Sequence, residues 1–310
     1  MDASCDLLAC VSRERLDQWL YYLCADPLAC RQANPVRPGE TRGSLDEADA
    51  YRVRARRHGI RRAPRAGARP GIPARSQSSA AATVWPPEPD DPWYTLYNLH
   101  AMREGAGPDA EIIQMVAHKD SQSWVPCAPG AYDSAVDTVA LMELARTLAQ
   151  IPNEREIRFL WCNEEHTPWT SVMAAQRLAA SGRKVAIVLN LDGVGLRRPD
   201  HAARGIYTAD VRYTTDRGRS AADLVDELIG RHNLGIRYVR ERAAVPDDDD
   251  GSFVLAGIEN AILLTGWIPN PDPHYHTTED RYEYVGIESV ARSVALALSL
   301  VLFIDRYGAP

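Results

Sequence analysis

At 310 residues and 45% hydrophobic side chains, the chain can bury a proper core as one large α/β domain or two small ones. Its formal net charge is −7 and it has no strongly basic patch, which speaks against nucleic acid and favours small or cationic substrates. Six cysteines (Cys5, Cys10, Cys24, Cys30, Cys127 and Cys162) lack the paired C-x-x-C spacing of a structural zinc site.

In chain order, SRERLDQWLYYLC (12–24) has apolar spacing suited to a helix capped by Ser12, and SLDEADAYRVRARRHG (44–59) predicts a second helix ending at Gly59. From 60 to 91 the composition turns to Arg, Pro, Ala, Gly and Ser, which cannot bury enough surface to offset its ordering entropy and reads as a loop or linker. WYTLYNL (93–99) reads as an edge strand. Strands and helices then alternate: strand 111–117, helix 134–149, strand 156–162, helix 169–181, strand 185–191, helix 219–232, strand 260–265 and helix 287–305. IRYVRER (236–242) adds a further strand. Alternation of this kind predicts a three-layer α/β/α fold with a mixed, mostly parallel central sheet. No second strand–helix series precedes residue 110, so the division expected is a helical segment over 1–59, the 60–91 linker and one catalytic domain over 92–310. VALALSLVLFI, bracketed by Arg292 and Asp305, is short for a membrane span and reads as a core helix. No basic-then-apolar leader opens the sequence, so a cytoplasmic location is expected.

Four of the apolar runs deliver a histidine or carboxylate at or just after their C-terminal ends. AEIIQMVA precedes His118 and Asp120, EIRFLWC precedes Glu164 and Glu165, VAIVLNL precedes Asp192, and NAILLTGW lies a short loop before His276. The C-terminal ends of parallel strands share one edge, where loops converge on a ligand. Asp133, in the Gly-containing loop that leads into the 134–149 helix, completes the set. Two histidines and three carboxylates suit a pair of divalent ions, zinc first, with one carboxylate bridging. Taken singly, each member has a plain structural explanation: Asp133 as a helix N-cap, Asp192 as a turn residue, the Glu pair as an exposed turn. Their joint occurrence at strand ends favours one metal site. Asp120 can accept a hydrogen bond from the His118 nitrogen that faces away from the metal. Adjacent side chains leaving a strand diverge, so one of Glu164 and Glu165 can bind metal while the other takes a proton from the attacking water.

The segments AHKDS, PGAYDSAVDTVALMELAR, RFLWCNEEHTPWTS, LNLDGVG and YHTTEDR, in this order, resemble the co-catalytic zinc exopeptidases. That superfamily is typified by bacterial leucyl and streptomycete aminopeptidases and includes glutamate carboxypeptidase II and glutaminyl cyclases. The resemblance covers residues 111–305. It implies that His118 and Glu165 bind one zinc, Asp192 and His276 the other, and that Asp133 bridges. It also implies Glu164 as general base and Asp120 as the support of His118. His276 is preferred to His274 because Thr-Thr-Glu-Asp follows it.

The implied activity is a two-zinc aminopeptidase acting on peptides or aminoacyl small molecules, with other divalent metals accepted by the same ligands. No nucleic-acid or membrane partner is expected. A carboxypeptidase or small amidohydrolase on the same site is the nearest alternative, followed by a glutaminyl cyclase-like enzyme and an inert receptor-like relative. Two departures bear on specificity. His166 to Ser171 stand where relatives carry a Gly-Leu-rich, Gly-Ser segment, and PDDDDGSF (246–253) falls where they carry an Asp-His loop. The acidic run reads as a solvated loop, with a negative rim for a substrate ammonium (Asp249 and Asp250) as the second reading.

Overall fold

The computed structural model describes residues 6–24, 50–54, 58–59, 83–84, 93–121, 129–163, 170–267 and 272–310, with backbone alone before Tyr97 in the strands that precede it. Eleven strands and seven α-helices follow one another in these segments: α1 (Arg13–Cys24), β1 (Ala50–Arg54), β2 (His58–Gly59), β3 (Thr83–Val84), β4 (Trp93–Tyr97), β5 (Leu99–Arg103), β6 (Ile112–His118), α2 (Val136–Leu148), β7 (Glu156–Cys162), α3 (Ser171–Ala180), β8 (Val185–Leu191), α4 (Pro199–Ala203), β9 (Tyr207–Tyr213), α5 (Asp216–His232), β10 (Ile236–Arg242), α6 (Asp248–Leu255), β11 (Ala261–Thr265) and α7 (Ile287–Tyr307).

The central sheet has seven strands in the order β10-β9-β11-β8-β6-β7-β5. Its middle four, β11, β8, β6 and β7, run parallel, while β9 is antiparallel to β11 and β5 antiparallel to β7. The fold is therefore the expected α/β sandwich on a mixed, mostly parallel sheet. All seven residues of β6 are buried, and the two-residue period divides them between two cores. Ile113, Met115 and Ala117 join the larger cluster with Leu16 and Leu20 of α1, Val139 of α2, Val225 of α5 and Val294 of α7. Ile112 and Val116 face the smaller cluster with Ala175 of α3 and Phe253 of α6. Helix α7 is long and apolar enough to cross a membrane by length and composition, and most of it is buried in the larger core.

The N-terminal region corrects the sequence reading. Residues 50–54 and 58–59 are strands, not the end of a 44–59 helix, and β1 pairs antiparallel with β4. Tyr51 and Val53 alternate with Arg52 and Arg54, a period-2 pattern of strand-forming residues that prevailed over the helical spacing. Within the 60–91 stretch, Thr83–Val84 forms a short ladder with His58–Gly59, and the remainder lies outside the described residues. WYTLY is a strand, but the sheet edge is built by the following LHAMR as β5.

Candidate metal centre

Strand β6 ends on His118, which is fully buried and in register with Cys162 at the end of β7. The turn Ala131–Ala135, entered through Gly130 in the left-handed region (φ 58°), carries Asp133 to the same edge. Strand β8 ends one residue before Asp192, whose backbone N–H donates to the carbonyl of Leu264 on β11 at 3.2 Å. His276 comes from the loop after β11, itself at φ 58° and with its ring stacked on Tyr275 at 3.6 Å.

These four side chains meet. One oxygen of Asp133 lies 3.1 Å from Nε2 of His118, and the other 2.7 Å from Nε2 of His276. Asp192 Oδ1 stands 3.5 Å from His118 Nε2, and one donor atom from each of His118, Asp133 and Asp192 falls within 4.8 Å of the others. On the far side of the imidazole, Asp120 Oδ1 is 3.5 Å from His118 Nδ1. The grouping differs from the one the resemblance implied, because Asp192 gathers with His118. Glu164 and Glu165 lie outside the described residues. The residues that flank them are tied down: Asn163 N donates to Thr170 Oγ1 at 2.7 Å, Thr170 Oγ1 bonds Asn98 at 2.6 Å, and the Lys119 ammonium donates to Asn163 Oδ1.

Two aspartates that the sequence reading left without a role hold the donor-bearing turns in place. Asp280 accepts from the backbone N–H groups of Tyr132 (2.9 Å) and Asp133 (3.1 Å). Asp137 accepts from Ser134 Oγ (2.7 Å) and from the N–H groups of Gly193 (2.8 Å) and Val194 (2.9 Å), tying the Asp133 turn to the Asp192 turn. Both sit inside the motifs quoted above, but an Asp in a helix first turn or a loop is read by default as a cap or turn residue.

The acidic run is neither a solvated loop nor a rim. Asp248, Asp249 and Asp250 form the buried first turn of α6, where Asp249 N–H donates to Asp248 Oδ1 at 2.6 Å. Asp249 Oδ2 accepts from Cys162 Sγ at 3.0 Å, and Asp248 Oδ1 accepts from Asn190 Nδ2 at 2.8 Å. A group so enclosed cannot meet a substrate ammonium at the surface.

The electrostatics call for a cation. Burial opposes a charged His118, yet Asp120, Asp133 and Asp192 outweigh it and hold its pKa well above the usual histidine value. Burial likewise opposes ionised Asp133, and the imidazoles of His118 and His276 hold its carboxyl far below the usual range. Burial and the charge of Asp192 push Asp137 up to about 7 against its three hydrogen bonds. Both ring nitrogens of His118 and both carboxylate oxygens of Asp133 are buried without an aligned hydrogen bond. Buried lone pairs of imidazole and carboxylate converging in this way fit a divalent ion, which competes with protons for the same atoms.

Comparison with known proteins agrees with that chemistry. The model of Peptidase family M28 matches residues 98–301. Aminopeptidase YwaD of Bacillus subtilis is 28% identical over 201 residues, a match that spans 62% of this chain and 40% of YwaD. The chain thus spans less than half of that relative's length. Among solved structures, the Legionella pneumophila LapA aminopeptidase superposes with a TM-score of 0.68 at 18% identity, over 96% of this chain and 73% of LapA. A glutaminyl cyclase from Fimbriiglobus ruber superposes with a TM-score of 0.58 at 16% identity, over 94% of this chain and 95% of the cyclase. At these identities the structures share the fold.

Proposed function

Because the chain belongs to peptidase family M28, we propose that it is a zinc-dependent aminopeptidase that removes N-terminal residues from peptides at a two-zinc site. The observation that carries this reading is Asp133, whose two oxygens face different histidines at 3.1 and 2.7 Å. A carboxylate so divided is suited to bridge two ions. His118 and Asp192 would hold one of them, and His276 with Glu165 the other. When bound, the zinc pair polarises the scissile carbonyl and lowers the pKa of water to about 7.

The chain's own groups supply the rest. Glu164 accepts the proton of the attacking water and returns it to the leaving amine. Asp120 fixes the His118 ring from the Nδ1 side, so that Nε2 keeps its lone pair for the site. Asp137 and Asp280 hold the backbone that carries Asp133 and Asp192, so the donor atoms are set before substrate arrives.

Metal analysis of zinc-loaded protein should give two ions per chain. Turnover of one dipeptide should fall sharply on N-acetylation and persist after C-amidation. A single ion per chain overturns the two-zinc site, and preferred cleavage of the N-acetylated form with loss on C-amidation replaces the aminopeptidase by a carboxypeptidase.

A further inference from the structure

A cavity of about 430 Å³ is lined by α4 and the residue before it, by β9 and β10, and by Gly266 and Trp267 after β11. It is joined to the ligand set through the backbone. Gly266 N–H donates to the carbonyl of Gly193, the residue after Asp192, at 3.1 Å, and Thr208 Oγ1 donates to the Gly266 carbonyl at 2.8 Å. The sheet places it there: β9 is antiparallel to β11, so the start of β9 lies at the edge where the metal-bearing strands end.

The lining inverts the charge of the chain. Within a protein of net charge −7, the cavity gathers Arg198, Arg204 and Arg237 against Asp200 and Asp210, three guanidinium groups to two carboxylates. Asp200 is shared, at 3.2 Å from both Arg198 and Arg204, so it neutralises only one of them. Arg237 has no carboxylate within ion-pairing distance among the described residues; its Nη1 stands 3.5 Å from Nε2 of His201, an imidazole only 8% exposed. Arg198 lies over the Trp267 ring at 5.9 Å, which gives one wall a flat apolar face. A planar guanidinium fork left without a carboxylate partner at a concave site is matched by one, which it binds bidentately.

We propose that this cavity binds a carboxylate of the substrate, with Arg237 as its principal partner and Arg204 beside it. The proposal rests on the peptidase reading of the site at the same sheet edge and narrows its substrates to peptides that present an acid group to this cavity. That acid is either the side chain of the N-terminal residue or the free C-terminus of a dipeptide.

Four substrates separate the two sources. Glu-amide is compared with Gln-amide for the side-chain acid, and Leu-Leu with Leu-Leu-amide for the terminal one. In the zinc-loaded wild type, one acid member should exceed its amide partner in kcat/KM by about tenfold, equivalent to about 1.4 kcal/mol. In Arg237→Met, and to a lesser degree in Arg204→Gln, that ratio should fall toward one. Arg237 and Arg204 are both exposed, so neither substitution disturbs the core. Calorimetric titration of the chelator-treated protein with glutarate gives a readout independent of turnover: the wild type should bind it at least tenfold more tightly than Arg237→Met. If no substrate is cleaved but the glutarate difference appears, the peptidase reading fails and the pocket stands. If neither acid is preferred, or the preference and the glutarate binding survive Arg237→Met, the pocket is overturned.

Discussion

Asp133 concentrates the logic of the site in one side chain. It is 3% exposed, divides its oxygens between two histidines, and receives a backbone clasp from Asp280. On the proposed reading the Glu pair divides its labour instead by position, and substitutions should show this. Glu164→Gln keeps the shape of the side chain but cannot take a proton, so the protein should retain its metal while turnover falls by about 10²–10⁴-fold. Glu165→Gln should lose zinc first. Metal content measured alongside single-turnover rates distinguishes them, and near-normal turnover in Glu164→Gln would reverse the two roles. His118 and Asp192, which meet in the structure, were legible in the sequence because each follows a buried strand, His118 after IIQMVA and Asp192 after VAIVLNL. Asp137 and Asp280 were not, since their work is to accept backbone N–H groups from residues far along the chain, and sequence spacing carries no trace of that. Nor was the pairing of Asp192 with His118, which depends on β8 lying next to β6 in the sheet.

At the level of elements, the continuous apolar runs announced β6, β7, β8 and β11, while mixed runs misled. In β9, YTADVRY, Asp210 and Arg212 interrupt the apolar character, yet Ala209 and Val211 pack into the larger core and Asp210 is buried on the other face. Three consecutive aspartates suggested water; α6 buries them instead, with Asp249 N–H and Asn190 donating to Asp248 and Cys162 donating to Asp249. The connection after β11 is governed by close approach. A Cβ on Gly266 would fall 2.2 Å from the Leu196 carbonyl oxygen and 2.4 Å from its nitrogen, both backbone atoms that cannot swing aside. Gly266→Ala should therefore destabilise the fold by about 1–3 kcal/mol, as overpacking does, read as a lowered urea midpoint at unchanged slope. An unchanged midpoint would mean that the two loops separate more easily than their hydrogen bonds suggest.

Across the whole molecule, buried acids set the response to pH. Burial pushes Asp137 and Asp250 up to about 7 and Asp280 to about 6, and raises Asp248 and Asp249 as well. A carboxyl whose folded pKa exceeds its unfolded value holds a proton that the unfolded chain has released, so stability falls as pH rises between the two values. Asp133, Glu143 and Glu156, shifted downward, act in the opposite sense, but only below the ordinary carboxylate range. Chelator-treated protein should accordingly melt at a higher temperature at pH 5 than at pH 7.5; equal or inverted melting temperatures would show that these carboxyls are ionised in the folded state. The clasp between Asp280 and the Asp133 turn also reaches beyond the finished protein. It joins positions 147 residues apart, and His276 arrives only four residues before its end. A growing chain on the ribosome therefore exposes His118, Asp133 and Asp192 long before it can close them around an ion. A product that stops before the last loop has neither His276 nor the Asp280 clasp, so on the proposed reading its site stays open and inactive even where the sheet has already folded.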